Sequence, residues 1–446
     1  MRGTFFSKRM TPAWVAALLT GLLAAASPWL DKLRPAPLGQ QAVNQFLVTS
    51  GADAGTGSLR EAIFVADRTD GRVRVVVDAP AIVLESPLPP IINATGVAIE
   101  AARAGVRIDA SRLVAGPVLD VASPNTTISG LAITGAPGQA VLLRTGGARL
   151  TRMHVQRSAV GVFAIDGVDD LIVSDSTFEG NGVGIQLGAD TQDVQLRNNR
   201  FRGHARAAVW SVAPTAPPAS SPLAVEIAGN EFDGDETSIV LINTVARVER
   251  NTFIRARTAG VFVRGSAVTV RGNRVQSGLG FGINATELDH AVIAENEINH
   301  NCGGGILVRE ARGTQLSWNR LYSNGYGIVM VLGPSGSPNT VADNVVMRNA
   351  VDGLYVIGAS PLIRRNRLLE NEGIGLRVSS LRAKGHPIIE SRPLVEANVL
   401  AGNKTNVPVA DEFRASDRET PGILQDCAWR ASPAAEPGTL PARSVQ

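Results

Sequence analysis

Short runs of alternating apolar and polar residues recur along most of the chain, and an asparagine returns among them at nearly fixed intervals. Each asparagine is followed two residues later by an apolar side chain. The asparagines are Asn199, Asn230, Asn251, Asn273, Asn296, Asn319, Asn344, Asn366 and Asn398. Successive members stand 21 to 25 residues apart, except at two longer intervals of 31 and 32 residues. This sustained period predicts a solenoid whose repeats stack and bury one continuous core.

A second signal in the repeats is a glycine followed by an aliphatic residue. It occurs at Gly161, Gly184, Gly260, Gly282, Gly305, Gly327, Gly353 and Gly375. Two or three short strands per repeat, with glycine and asparagine at the corners, indicate coils of parallel β-structure. Asparagine at a corner tolerates left-handed backbone angles and, stacked on itself, can form hydrogen bonds from turn to turn. We therefore expect the asparagines to stabilise the fold rather than to bind a ligand.

The segment before the regular repeats predicts a short helix. Ser58 with Glu61 three residues later has the spacing of a capping box, and Leu59, Ala62 and Ile63 make one apolar helical face. Such a helix would cover the end of the solenoid, which otherwise exposes an unpaired strand edge. Irregular β-segments are expected at Val73–Val77, Val97–Ile99, Val106–Ile108 and Val118–Val121.

The predicted organisation has five parts. They are a leader over 1–30, a linker over 31–44, an N-terminal cap with the first irregular coils over 45–130, regular repeats over 131–403, and a C-terminal tail over 404–446. A leucine-rich repeat is the alternative, because it has a similar period and its own asparagine ladder. Its return segment is helical, whereas here Ile, Val and Phe dominate and the return segments alternate like strands.

The repeats, together with the opening Val48-Thr49-Ser50 and the run from Gly57 to Ile63, resemble the right-handed parallel β-helix proteins of the pectate-lyase-like superfamily. The resemblance covers roughly residues 46–403. It implies an all-β, right-handed parallel β-helix solenoid with a short N-terminal capping helix. It also implies a preference for polysaccharide partners, although this fold hosts lyases, hydrolases, epimerases, adhesins and proteins without known chemistry.

The leader has a basic start and an apolar run of 17 residues from Trp14 to Leu30. Ala24, Ala25 and Ala26 near its end resemble a cleavage site, so a cleaved signal peptide and a retained N-terminal anchor are both open. Either predicts export to the periplasm or beyond, with membrane contact only through an uncleaved leader. Without the leader, 40 basic residues face 40 acidic ones, which gives no field to attract nucleic acid.

The two cysteines, Cys302 and Cys427, could pair and attach the tail to a coil, or they could be unrelated. Two cysteines and five scattered histidines show no metal-ligand spacing, so no metal and no cofactor are expected.

Longer loops mark one side of the predicted solenoid. The three extended repeats carry their extra residues at Ser211 to Pro222, Gly333 to Pro338 and Ser380 to Pro393, each time after the strand that begins at the Gly-aliphatic pair. Insertions on one side indicate a binding side, although drift at a tolerant corner is the alternative. The two longest loops stand seven turns apart, about 34 Å at a rise of about 4.8 Å, and would enclose a shallow groove.

Strand alternation predicts which side chains line this groove. With Ile306 and Val308 inward, the outward positions are Trp210, Val240, Phe262, Arg264, Asn284, Thr286, Leu307, Arg309, Val329, Val331, Tyr355, Ile357, Arg377 and Ser379. From this set we predict Trp210, Phe262, Arg264, Asn284, Arg309, Tyr355 and Arg377 to bind substrate. Aromatics that stack on sugar rings, with Arg and Asn beside them, suit a uronate-rich polymer. An apolar patch covered by the tail or a partner is the alternative.

The outward positions contain no acid, which argues against the calcium site of pectate lyases, because Ca²⁺ needs six to eight oxygen ligands. The paired aspartates of β-helix hydrolases and the Asp-Pro-His-Asp of alginate epimerases are also absent. Glu287 and Glu310 lie 23 residues apart, one repeat, so they should stack about 5 Å apart, as in retaining glycosidases. The alternative is a solvated corner neutralised by Arg309 and Arg312.

Three functional classes therefore stay open. The first is an exported β-helix that binds a cell-surface or exported polysaccharide, acidic if the arginines bind carboxylates. The second is a polysaccharide lyase, hydrolase or epimerase, with Glu287 and Glu310 as its candidate catalytic residues. The third is a structural or adhesive module without catalysis.

Overall fold

The structure is a computed structural model that describes residues 44–215, 222–265, 267–333, 338–383, 387–406 and 409–415. The predicted leader lies outside these residues, as does Cys427. No helix within them is long and apolar enough to cross a membrane.

Three long parallel sheets, which we call A, B and C, form the walls of the solenoid, and the chain visits them in turn. Sheet A contains fifteen strands, in stacking order β1 (Asn44–Val48), β2 (Val73–Val77), β4 (Val97–Ala101), β7 (Thr127–Ser129), β10 (Arg149–Thr151), β13 (Ile172–Ser174), β16 (Val194–Arg197), β19 (Val225–Ala228), β22 (Ala246–Glu249), β25 (Val268–Arg271), β28 (Val292–Ala294), β31 (Gln315–Ser317), β34 (Thr340–Ala342), β37 (Leu362–Arg364) and β40 (Leu394–Glu396).

Sheet B contains fourteen strands, namely β3 (Ala81–Val83), β5 (Arg107–Asp109), β8 (Ala132–Thr134), β11 (His154–Gln156), β14 (Thr177–Glu179), β17 (Arg200–Arg202), β20 (Glu231–Asp233), β23 (Thr252–Ile254), β26 (Arg274–Gln276), β29 (Glu297–Asn299), β32 (Arg320–Tyr322), β35 (Val345–Met347), β38 (Arg367–Leu369) and β41 (Val399–Ala401). Sheet C contains thirteen, namely β6 (Leu119–Val121), β9 (Gln139–Leu143), β12 (Val160–Ala164), β15 (Val183–Leu187), β18 (Ala207–Val212), β21 (Thr237–Ile242), β24 (Ala259–Arg264), β27 (Phe281–Thr286), β30 (Gly304–Arg309), β33 (Tyr326–Val331), β36 (Leu354–Ile357), β39 (Leu376–Ala383) and β42 (Val409–Ala415).

The first coils join the same sheets, so the irregular β-segments expected from the sequence are confirmed as strands. A helix, α1 (Leu59–Ala66), lies between β1 and β2, and the Ser58 hydroxyl accepts a hydrogen bond from the Glu61 backbone N–H. The Glu61 carboxylate in turn accepts from the Gly57 N–H at 2.6 Å. Leu59 and Ile63 are buried on the inner face of this helix.

Stacked side chains of one kind fill the interior of the solenoid. Phe178, Phe201, Phe232 and Phe253 are fully buried and stack face to face, with ring centroids 4.8 to 5.2 Å apart. This distance matches the spacing between neighbouring strands, so each ring contacts the rings of the turns above and below. Equivalent residues of successive repeats thus pack on one another and form a continuous core.

The asparagine ladder is confirmed between sheets A and B. The backbone N–H of Asn296 donates to Oδ1 of Asn319 at 3.0 Å, and its side-chain amide donates to the same oxygen at 2.9 Å and to the Val270 carbonyl at 2.9 Å. Asn319 repeats the pattern with Asn344. These side chains are almost completely buried, so the ladder satisfies backbone groups that the corner would otherwise leave unpaired.

The asparagines do not themselves have left-handed backbone angles, and that expectation was wrong. Positive φ belongs to the residue before each one, for example Glu295 (58°) before Asn296 and Asp343 (59°) before Asn344. The residue before each ladder asparagine therefore makes the turn at this corner.

Most of the Gly-aliphatic pairs do not lie at corners either, because six of the eight glycines are inside strands of sheet C, while Gly353 and Gly375 directly precede β36 and β39. A Cβ on Gly305 would stand 2.4 Å from Cδ2 of Leu321 and 2.7 Å from the Gly327 carbonyl oxygen. The glycines are therefore required by close packing where sheet C approaches the side chains of sheet B.

A second ladder between sheets B and C was not predicted. It runs through Ser158, Asn181, His204 and Asp235, and then through Asn301, Asn324, Asn349, Asn371 and Asn403. From Asn296 to Asn398 each first-ladder asparagine is followed five residues later by another asparagine. That spacing is the signal in the sequence that could have found it.

Candidate functional site

The outer face of sheet C carries the side chains that the sequence predicted to line a groove. Strand pairing places Gln186, Trp210, Val240, Phe262, Asn284, Leu307, Val329, Tyr355 and Arg377 in one column along the solenoid axis. A second column, two residues further along each strand, contains Arg264, Thr286, Arg309, Val331, Ile357 and Ser379. The predicted register is therefore confirmed.

The three loop extensions follow strands of sheet C, as the sequence predicted, although their expected first residues, 211–212 and 380–383, belong to the strands themselves. They connect β18 to β19, β33 to β34 and β39 to β40, so each follows a strand of sheet C. Five turns separate β18 from β33, which corresponds to about 24 Å along the axis.

The accessible part of the face lies on the turns from β12 to β27. Trp210, Phe262 and Asn284 are half-buried, and Arg264 is exposed. The Arg206 guanidinium lies 5.0 Å from the centre of the Trp210 ring, a cation–π contact that holds the indole in place.

Sequence reasoning missed three members of this accessible face. Phe163 and Gln186 continue the column toward the N-terminus, and both are half-buried. Arg206 precedes β18 and contacts Trp210. Extending the same alternation by two turns would have found Phe163 and Gln186, whereas the contact of Arg206 depends on its conformation.

The C-terminal part of the face is not exposed, which corrects the sequence-based expectation for several positions. Val329, Tyr355, Ile357 and Ser379 are all buried there, and Val240, on β21 between Trp210 and Phe262, is a buried position within the otherwise accessible part. Leu307, Val329, Tyr355 and Ile357 form an apolar cluster with Phe281 and Leu381, against which Tyr326, Val331 and Leu332 pack. Apolar outward side chains on consecutive turns make a surface that is more stable when covered than in water.

Tyr355 and Arg377 belong to a network within this covered part. The Ser379 and Tyr355 hydroxyl oxygens lie 3.1 Å apart, within hydrogen-bond distance, and the Arg377 guanidinium lies 4.9 Å from the Tyr355 ring centre. Arg377 also binds Asp411 of the last strand at 2.6 Å. Burial raises the pKa of the Tyr355 phenol. Burial acts to raise the pKa of Asp411 as well, but hydrogen bonds from Ser379 and Arg377 outweigh it and lower that pKa.

The candidate acids Glu287 and Glu310 lie at successive corners after β27 and β30. Both have positive φ, 54° and 52°, and the Glu287 N–H donates to the Arg309 carbonyl in the next turn. Arg264 binds the Glu287 carboxylate at 2.9 Å and 3.0 Å. The hydrogen bond to Glu287 raises the pKa of Arg264, and the charge of Glu310 adds to this effect.

One arginine that the sequence did not assign to this corner, Arg264, neutralises Glu287, and the expected Arg312 pairs with a different acid. Arg264 binds Glu287, whereas Arg312 binds Asp289 at 2.7 Å. Asp289 also contacts His290, and these contacts, with Arg312 first, lower the pKa of Asp289. The described residues contain no group of three His, Cys, Asp or Glu side chains arranged to hold a metal ion.

Cys302 is buried and forms a disulfide. It precedes β30 on the side of sheet B, away from the corner with Glu310.

Comparison with known proteins agrees with the fold. Residues 218–368 match the sequence model of the family described as a right handed beta helix region. Together with the three parallel sheets, this match identifies the chain as a right-handed parallel β-helix protein. No sequence among curated proteins matches it significantly.

Solved structures share the architecture at low sequence identity. A mutant tailspike protein of E. coli bacteriophage HK620, in complex with pentasaccharide, is 12% identical with a TM-score of 0.54, over 79% of this chain and 74% of the tailspike chain. The mannuronan C-5 epimerase AlgE6 A-module of Azotobacter vinelandii is 13% identical with a TM-score of 0.47, over 84% of this chain and all of the module. A mannuronic acid specific family 6 lyase from human gut microbiota is 9% identical with a TM-score of 0.44, over 79% and 91% of the two chains. At 12% identity, the likeness to the tailspike shows the fold alone.

Proposed function

We propose that this chain binds a polysaccharide along the accessible outer face of sheet C. The observation that carries the proposal is the alignment of Trp210, Phe262 and Asn284 in one column, with Arg264 beside it. Aromatic faces stack on sugar rings, and amide and guanidinium groups bond to hydroxyl and carboxylate groups. The tailspike with the same fold is described in complex with a pentasaccharide, which agrees with this use of a β-helix.

The face favours a polymer that contains acidic sugars. Arg206, Arg264 and Arg309 lie on or beside this face, and its two columns contain no acidic residue on the strands from β12 to β27. Glu287 lies one residue beyond the end of its strand, where it binds one of these arginines. A uronate carboxylate would exchange that intramolecular contact for a charge-assisted bond to the polymer.

Binding is tested with a uronic-acid polysaccharide by titration calorimetry. We expect Trp210→Ala and Phe262→Ala each to weaken binding by about 1–3 kcal/mol. Phe64→Ala is the matched control, because Phe64 is also an exposed aromatic but lies on α1. If both sheet C variants bind with unchanged affinity, this face does not bind the polysaccharide.

Processing of the polymer is the alternative that Glu287 and Glu310 support, since they occupy aligned corners at the edge of the same face. If they act as acid and nucleophile, the wild-type chain should release reducing ends from a uronate polymer, and Glu287→Gln or Glu310→Gln should abolish the release. Absorbance of unsaturated products would instead indicate a lyase. Binding without turnover would leave a non-catalytic binding module.

We also propose that the solenoid works outside the cytoplasm and that α1 closes its N-terminal end. The basic and apolar leader in the sequence supports export. Recovery of the full-length chain only from the cytosol of its native cell would contradict it. The buried face of α1, formed by Leu59, Ala62, Ile63 and Ala66, supports closure, because a bare first turn would expose apolar core and a strand edge.

A further inference from the structure

The corner between sheets A and B, which we call the A–B corner, has a tryptophan at one of its turning positions. In each regular turn the residue before the ladder asparagine has positive φ. These residues are Asn198, Gly229, Arg250, Gly272, Glu295, Trp318, Asp343, Arg365 and Ala397. Glycine, asparagine and aspartate adopt such angles with little strain, whereas a bulky side chain does not. Trp318, at a φ of 59°, has the bulkiest and most rigid side chain among them.

Burial does not compensate for this strain, because 61% of the Trp318 surface is exposed. A tryptophan that gains little from packing and occupies a strained backbone position points to a role in binding. Its neighbours along the corner, Glu295 and Asp343, are charged, so Trp318 stands alone rather than in an apolar patch. A protein interface normally needs a wide contiguous surface, and this corner does not provide one.

Charged pairs flank the indole one turn away on each side, about 5 Å along the axis. On one side Arg271 binds Glu295, with Nε 2.9 Å from Oε2. On the other side Arg365 binds Asp343 through two hydrogen bonds of 2.7 Å and 2.8 Å. Each arginine is thus paired with its own carboxylate, so the two pairs beside the indole offer hydrogen-bond donors and acceptors and together carry no net charge.

We propose that the A–B corner at Trp318 is a second saccharide-binding site, which takes a neutral, hydroxyl-rich glycan. The indole stacks on one sugar ring, and the two charged pairs bond to hydroxyl groups of that sugar or its neighbours. The A–B corner does not adjoin sheet C, so the site is separate from the face proposed for the acidic polymer. The proposal does not depend on that function.

The test uses the full-length chain on an array of neutral gluco-, galacto- and manno-oligosaccharides together with acidic oligouronates. Calorimetry then follows with the strongest neutral oligosaccharide. Trp318→Asn should weaken neutral binding at least about tenfold, while its melting temperature stays equal or rises, because asparagine suits a positive φ. Trp318→Phe should keep most of the affinity. Leu279→Asn, at another exposed apolar residue, is the matched control and should leave binding unchanged.

Several outcomes would overturn the proposal. One is that the wild-type chain binds no neutral oligosaccharide, and another is that Trp318→Asn binds as the wild type does. Loss of only acidic binding in Trp318→Asn would overturn the neutral assignment. Trp210→Ala should not change neutral binding, so failure of this site and failure of the sheet C site are distinguishable.

Discussion

At the scale of single residues, the asparagine ladder shows how one side chain satisfies a repeated backbone requirement. Asn319 has one side chain that serves both neighbouring turns, and its carbonyl and amide groups are all used. Its environment is fully buried. Removing the amide therefore leaves a carbonyl and an N–H without partners in a place that water does not reach.

We predict that Asn319→Ala lowers the free energy of unfolding by about 1–3 kcal/mol without weakening glycan binding. Asn284→Ala on the outer face of sheet C is the matched comparison, because that side chain is half-buried and outside the ladder. It should weaken glycan binding and leave the melting curve unchanged. Denaturant unfolding and calorimetry on both variants check this. Loss of glycan binding with unchanged stability in Asn319→Ala would show that this asparagine binds the ligand and does not stabilise the fold.

The glycines of sheet C make a second prediction at the residue scale. Gly305→Ala should destabilise the solenoid by about 1–3 kcal/mol, because the added methyl group would overlap Leu321 and the Gly327 carbonyl. Gly180→Asn is the control, since Gly180 has a φ of 60° at a corner and no atom lies within 4 Å of the position that a Cβ would occupy there. Thermal melting of both variants gives the comparison. If Gly305→Ala is as stable as the wild type, close packing does not require glycine at this position.

At the scale of elements, helix α1 is attached to the first turns through one charged network. The Asp53 carboxylate accepts hydrogen bonds from Arg60 at 2.7 Å and from the Ser86 hydroxyl at 2.8 Å. Burial acts to raise the pKa of Asp53, but the bonds from Ser86 and Arg60 outweigh it, so the pKa lies below its ordinary value of 3.8.

Because the folded-state pKa of Asp53 is lowered, its contribution to stability is present above the unfolded value of 3.8 and is lost as the pH falls through the folded value. We predict that the protection factors of the amides in α1 fall at acidic pH before those of the asparagine ladder. Asp53→Asn should show faster exchange in α1 already at neutral pH and lose this pH dependence. Protection of α1 that persists until the whole chain unfolds in acid would contradict the prediction.

At the scale of the whole molecule, the disulfide formed by Cys302 lies at a buried corner of the solenoid. The sequence has two cysteines, 125 positions apart, and Cys427 lies outside the described residues. We predict that peptide mapping without reductant links Cys302 to Cys427, and that reduction lowers the free energy of unfolding by about 3–5 kcal/mol. Cys302→Ser should lower stability to the same extent and be insensitive to reductant. A mapped link between two chains would show a dimer instead.

The sequence by itself determined the repeat, the strand register and the ladder between sheets A and B. These features are local and are repeated in every turn, so alternation and spacing reveal them without knowledge of distant contacts. For the same reason the columns containing Trp210, Phe262 and Arg264 could be read directly from inward neighbours such as Val209 and Val261.

Only the tertiary structure decided which outward positions are accessible. Tyr355 and Phe262 occupy the same column and have the same local pattern, yet Tyr355 is buried and Phe262 is half-buried. The difference arises because Leu332, just after β33, and Leu381, in the extended end of β39, pack onto one part of the face. The pairing of Arg264 with Glu287 and the exposure of Trp318 could not be predicted from the sequence for the same physical reason. Coverage and charge pairing depend on side chains from neighbouring turns and loops, whose conformations a periodic pattern does not specify.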